Sequence, residues 1–73
     1  MQKQLSTHIS DEFEGWDGDT VYELDNGTKW KLANYQYRYV YKYRPRATIW
    51  RDGGRYYLEV EGMGDPVLVY PEN

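Results

Sequence analysis

The feature that most constrains this chain is Tyr35-Gln-Tyr-Arg-Tyr-Val-Tyr-Lys-Tyr-Arg44, where tyrosine occupies every second position. A period of two puts alternate side chains on opposite faces of an extended strand, whereas a helix would scatter the rings around its circumference. Five tyrosines therefore share one face, and Gln36, Arg38, Val40, Lys42 and Arg44 share the other. At ~3.3 Å per residue the segment spans roughly 33 Å, against ~17–20 Å for a common strand. The spacing predicts a strand that bends to serve two sheets, or one that projects at an end with tyrosines partly exposed. The central Tyr39 and Tyr41 are expected to fill the core with their hydroxyls at its rim. Pro45 has no N–H to donate, so it should stop the pairing and hold Arg44 extended.

Turn signals flank this segment. Thr20-Val-Tyr-Glu-Leu24 and Thr28-Lys-Trp-Lys-Leu32 enclose Asp25-Asn-Gly27. Opposed residues share a face, so each loop length makes a different set of pairs. A two-residue loop would oppose Glu23 to Trp30. A three-residue loop opposes Tyr22 to Trp30 and Glu23 to Lys29, matching apolar with apolar and acid with base. It predicts a type I turn with Gly27 in the left-handed region as a bulge. The same test on Arg46–Trp50 and Tyr56–Glu61 favours a two-residue Gly53-Gly54 loop. Ile49 then faces Leu58 and Ala47 faces Val60 on the inside. Thr48/Glu59, Arg46/Glu61 and Trp50/Tyr57 face each other on the outside.

Val67–Tyr70 reads as a closing strand after the Gly62-Met-Gly-Asp-Pro66 turn. Residues 8–16, with Ile9, Phe13 and Trp16, supply an opening strand and a packing loop. Asp11–Glu14 allows one helical turn at most before Gly15 and Gly18. The expected fold is all-β: a small, partly open antiparallel barrel of five or six strands, with SH3-like or OB-like proportions. Residues 1–7 are expected as a flexible tail and residues 8–73 as the single domain.

A domain of 73 residues without cysteine has neither disulfides nor thiolate metal sites to support a small core. Its substitute is aromatic, with three Trp, nine Tyr and one Phe. The absence of cysteine, of a signal-peptide core and of any apolar run near the ~20 residues needed to span a bilayer makes cytoplasmic the expected location, without membrane association. Charge is segregated. Residues 1–30 carry seven acids and two bases, 31–55 seven bases and one acid, and 56–73 four acids and no base. Two readings follow: cross-strand charge pairing in a meander, and a basic stripe for an anionic partner.

The inventory argues against catalysis. His8 is the lone histidine and has no nucleophile arrangement to serve. Asp17-Gly-Asp19 begins like a calcium loop but lacks the later ligands. Gly62 and Gly64 precede Asp-Pro where a phosphate loop would need a helix. No cofactor or metal is expected. Two candidate binding surfaces remain: the tyrosine strand, with Tyr35, Tyr37, Arg38 and Lys42, and the outward Trp50/Tyr57 pair.

Phe13-Glu-Gly-Trp-Asp-Gly-Asp-Thr-Val-Tyr22, then Leu24-Asp-Asn-Gly27, Trp30, the alternating tyrosines, Pro45 and Glu59-Val-Glu-Gly62 form a combined signature. It resembles a small β-domain of bacterial and phage-associated proteins, marked by Gly-Trp-x-Gly-(Asp/Glu)-Thr, Leu-x-Asn-Gly-x-x-Trp and Tyr-x-Tyr-x-Tyr before a Pro. The resemblance implies a compact β fold and brings no activity with it. Here Lys31-Leu32 stands where relatives are polar, and the basic end of those domains is missing.

The leading expectation is a non-catalytic module that binds another protein through exposed aromatics. The alternative is a barrel that binds single-stranded nucleic acid through Arg38, Lys42, Arg44, Arg46 and Arg51. Self-association is a third course.

Overall fold

The turn chemistry and the period-two pattern yield eight strands and no helix in the computed structural model, which describes residues 1–72. The last residue of the domain expected over 8–73 lies outside them. The strands are β1 (Gln2–His8), β2 (Glu12–Phe13), β3 (Val21–Glu23), β4 (Lys29–Leu32), β5 (Lys42–Tyr43), β6 (Arg46–Asp52), β7 (Arg55–Val60) and β8 (Val67–Glu72). Six form one antiparallel sheet in the order β1-β6-β7-β8-β4-β3, and β2 pairs with β5 in a separate ribbon. The sheet does not close. Its edge strands meet only at the Ile9–Leu24 bridge, where Ser10 N–H donates to Glu23 O and Asp25 N–H to His8 O, each at 2.9 Å.

Both hairpins have the expected register. Tyr22 lies opposite Trp30 and Glu23 opposite Lys29, and Gly27 has φ +88°. Ile49 faces Leu58, Ala47 faces Val60, and Trp50 faces Tyr57. Gly53 has φ +63° while Gly54 has no positive φ, the pattern of a type II′ turn. Alternation then buries Ala47, Ile49, Leu58 and Val60 together with Leu24, Leu32 and Val69. Beneath the ribbon three rings meet near-perpendicular or tilted. Phe13–Trp16 centroids are 5.4 Å apart, Trp16–Tyr22 5.6 Å and Phe13–Tyr22 5.9 Å. Such edge contacts add about 0.5–1.5 kcal/mol each beyond the buried area.

Three expectations are corrected. Residues 2–7, expected within a flexible tail, join His8 in edge strand β1 on β6, with a register shift between Lys3 and Leu5. The long strand over residues 35–44 is not continuous. It would exceed the 30 Å longest extent of the molecule. Instead it reduces to β5 and a Trp16–Arg38 bridge, running irregularly antiparallel to residues 11–16. Arg44 is not extended but left-handed, with φ +49°. That conformation turns the chain from β5 into β6, and the Pro45 carbonyl it presents accepts the Ile9 N–H at 2.9 Å.

Candidate interaction surface

The ribbon decides which way the tyrosines point. Arg38 exchanges backbone bonds with Trp16 at 2.8 and 2.9 Å, and Phe13 pairs with Lys42. Phe13 and Trp16 are buried in the core, and of the partner segment's even-numbered side chains Val40 and Lys42 are half-buried on the same side while Gln36, Arg38 and Arg44 remain exposed. Val40 packs on the core, the Arg38 guanidinium reaches Met63 O at 3.3 Å, and Lys42 lies over Gly62. All five tyrosines are therefore turned outward, at 76%, 65%, 59%, 51% and 68% exposure for Tyr35, Tyr37, Tyr39, Tyr41 and Tyr43. This corrects the expectation that Tyr39 and Tyr41 fill the core. Phe13, Trp16 and Tyr22 already occupy that space.

The basic residues are dispersed rather than gathered. Arg38 and Lys42 lie on the turn around Gly62, and Arg44 pairs with Asp25. Arg51 Nε donates to Gly53 O at 2.9 Å and stacks 5.9 Å from the Tyr56 ring. Arg46 is exposed on β6. No stripe forms beside the tyrosines. The charge pairing expected between the basic middle and its acidic flanks is met at one contact among the described residues. Arg44–Asp25 is the one ion pair among the described residues.

Trp50 and Tyr57 belong to a different surface, the outer face of the sheet, where Lys3, Trp50, Tyr57 and Leu68 stand in register across four strands. Both rings are half-buried. The Trp50 indole N–H donates to Glu59 Oε1 at 2.8 Å, and the Lys3 ammonium sits 5.7 Å from its ring. The six predicted site residues thus fall on separate surfaces: Tyr35 and Tyr37 outward on the ribbon, Arg38 and Lys42 on its other side against the Gly62–Met63 turn, and Trp50 and Tyr57 on the sheet.

Beside the tyrosines lies a groove of about 420 Å³ between β3 and the start of the ribbon. Asp11, Glu12, Glu14, Asp17 and Glu23 line it, Tyr37 and Tyr39 border it, and no Lys or Arg contributes. None of the five carboxylates has an ion-pair partner among the described residues. Tyr41 donates to Glu12 Oε1 at 3.2 Å. Partial desolvation, that bond and the charge of Glu12 hold the Tyr41 phenol above its ordinary range. Sequence reasoning passed over these acids, yet all seven acids of residues 1–30 fall between positions 11 and 25, a stretch without Lys or Arg. Asp17 Oδ1 accepts the Asp19 N–H at 3.0 Å, so that pair forms a local turn. His8 lies at the end of β1.

No helix among the described residues is long and apolar enough to cross a membrane. Compared with family models, curated proteins and solved structures, the chain gives no match.

Proposed function

We propose that the chain is a non-catalytic interaction module that binds another protein through the tyrosine face of the β2–β5 ribbon. The observation that carries this reading is the row of five tyrosines, all more than half exposed, on one face of an anchored backbone. A tyrosine presents a large amphipathic ring with little rotamer freedom to lose, which suits it to protein recognition. Contiguous exposed aromatics on a small domain mark an interaction site more often than an accident of composition. The acids beside the rings and the dispersal of the bases favour a protein over a nucleic acid, whose phosphates would meet carboxylates.

The test uses immobilised wild-type protein and a Tyr37→Ser/Tyr39→Ser/Tyr41→Ser variant as baits in host lysate with and without nuclease treatment, with bound proteins identified by mass spectrometry. Proteins retained by the wild type and lost from the variant support the reading. The same proteins on both baits, or capture that disappears with nuclease, overturns it.

A further inference from the structure

We infer that the acidic groove receives an extended, Lys- or Arg-rich segment of the partner as an added strand on β3. This deepens, and rests on, the reading of the tyrosine face as a protein-binding surface. Two edges of the open sheet are available, and they differ. β1 carries a bulge and Lys3, devices that discourage pairing. β3 carries neither along Val21–Glu23. Backbone groups of residues two apart in a strand point the same way. The Glu23 carbonyl points away from β4, because it accepts from Ser10 N–H, so the N–H and carbonyl of Val21 point that way too. Val21 and Glu23 both line the groove, and Val21 is 43% exposed. The open edge therefore faces a surface where carboxylates gather without ion-pair partners among the described residues.

Strand addition supplies backbone hydrogen bonds, and alternate side chains of the incoming segment supply specificity. Cationic side chains on such a segment would meet Asp11, Glu12, Glu14 and Glu23, relieving repulsion among carboxylates that form no ion pair among the described residues. Their aliphatic stems and charged heads suit the faces of Tyr37 and Tyr39. An acidic or phosphorylated segment would meet like charge and be rejected.

The probe is a short fluorescein-labelled peptide of alternating Lys and Val, titrated by anisotropy against the intact protein at low salt. Controls are the Glu-Val counterpart and the Lys-Val peptide N-methylated at every second residue, which keeps the charge but loses one edge of donors. The inference expects binding of the parent peptide, no binding of the acidic one, and at least about tenfold weaker binding of the N-methylated one. A Glu12→Gln/Glu14→Gln/Glu23→Gln variant, checked by thermal melt, should bind the parent at least about tenfold more weakly. No binding of the parent peptide overturns the inference, as does equal binding of the N-methylated form. Tyr35→Ser/Tyr43→Ser separates the two proposals, since both rings lie outside the groove lining. Unchanged peptide affinity supports the groove site. Loss of peptide binding there overturns it. The lysate capture judges the tyrosine face independently of either result.

Discussion

Between Gly15 and Arg38 there is no room for a β-carbon: one built on Gly15 would stand 1.8 Å from the Arg38 carbonyl oxygen. Gly15 also has φ +97°, a conformation that side chains other than hydrogen resist. This close approach seats the tyrosine segment on the body of the domain and fixes which of its faces is outward. Gly15→Ala should therefore cost well over ~1 kcal/mol and loosen residues 35–44 selectively. Gly27→Ala is the control, because its φ is +88° but nothing lies within 4 Å of the added carbon. It should cost about 1 kcal/mol, from backbone conformation alone. Chemical denaturation of both variants, with hydrogen exchange at the Trp16 and Arg38 amides, checks the difference.

The tryptophans should separate by burial. Trp16 is 2% exposed within the aromatic cluster, and Trp16→Ala is expected to cost ~3–5 kcal/mol. Trp50 is half-buried on the outer face of the sheet, so Trp50→Ala should cost clearly less. Equal losses in thermal melts would contradict the placement of Trp50 on that face.

Tyr22 ties the ribbon to the first hairpin. Its hydroxyl donates to Gly15 O at 2.8 Å and accepts from Asp17 N–H at 2.9 Å. Tyr22→Phe leaves the two backbone groups without this partner and should cost about 1–3 kcal/mol.

Burial raises the Tyr22 phenol above 10.0. The unfolded chain thus releases this proton at lower pH than the folded one. The contribution is complete below about pH 10 and is lost as pH rises through the folded value. Stability measured from neutral to alkaline pH should fall above about pH 10, and less steeply in Tyr22→Phe.

The tyrosine face should be nearly silent in stability. Tyr37→Ser and Tyr39→Ser each remove a ring that is more than half exposed, and each should shift stability by about 0.5 kcal/mol or less. A larger loss in urea denaturation would mean that the rings hold the fold.

Much of the fold was legible because opposed residues test loop length. The pairs Tyr22/Trp30 and Ile49/Leu58 follow from requiring like with like across a turn. The tyrosine segment was harder, because alternation defines two faces without saying which is inward. Tyrosine is more apolar than Arg, Lys or Gln, which argues for the wrong side. Three closely packed rings and the bare backbone of Gly15 decide otherwise, and these are tertiary facts. β1 left no signal because, apart from Leu5, its first residues are polar and exposed. At Arg44 the pre-proline preference for extended backbone yields to the geometry of a corner. The acids of the groove were visible as a cluster, but what they surround depends on how β3 and the ribbon lie side by side.

The order of the sheet also bears on how the chain is made. Ser6 and Thr48, whose hydroxyls meet at 3.3 Å, are 42 positions apart, and β4 finds its second neighbour only in β8. A nascent chain that has exposed β1 to β5 holds one hairpin and a narrow ribbon, with most of the apolar face of the sheet still to be synthesised. Assembly must wait for distant segments, which places folding in the slow, millisecond-to-second class of all-β domains. During that wait the tyrosine segment and the unpaired β1 are open to neighbouring chains, so yield in a cell should depend on expression rate and temperature as much as on the stability of the finished domain.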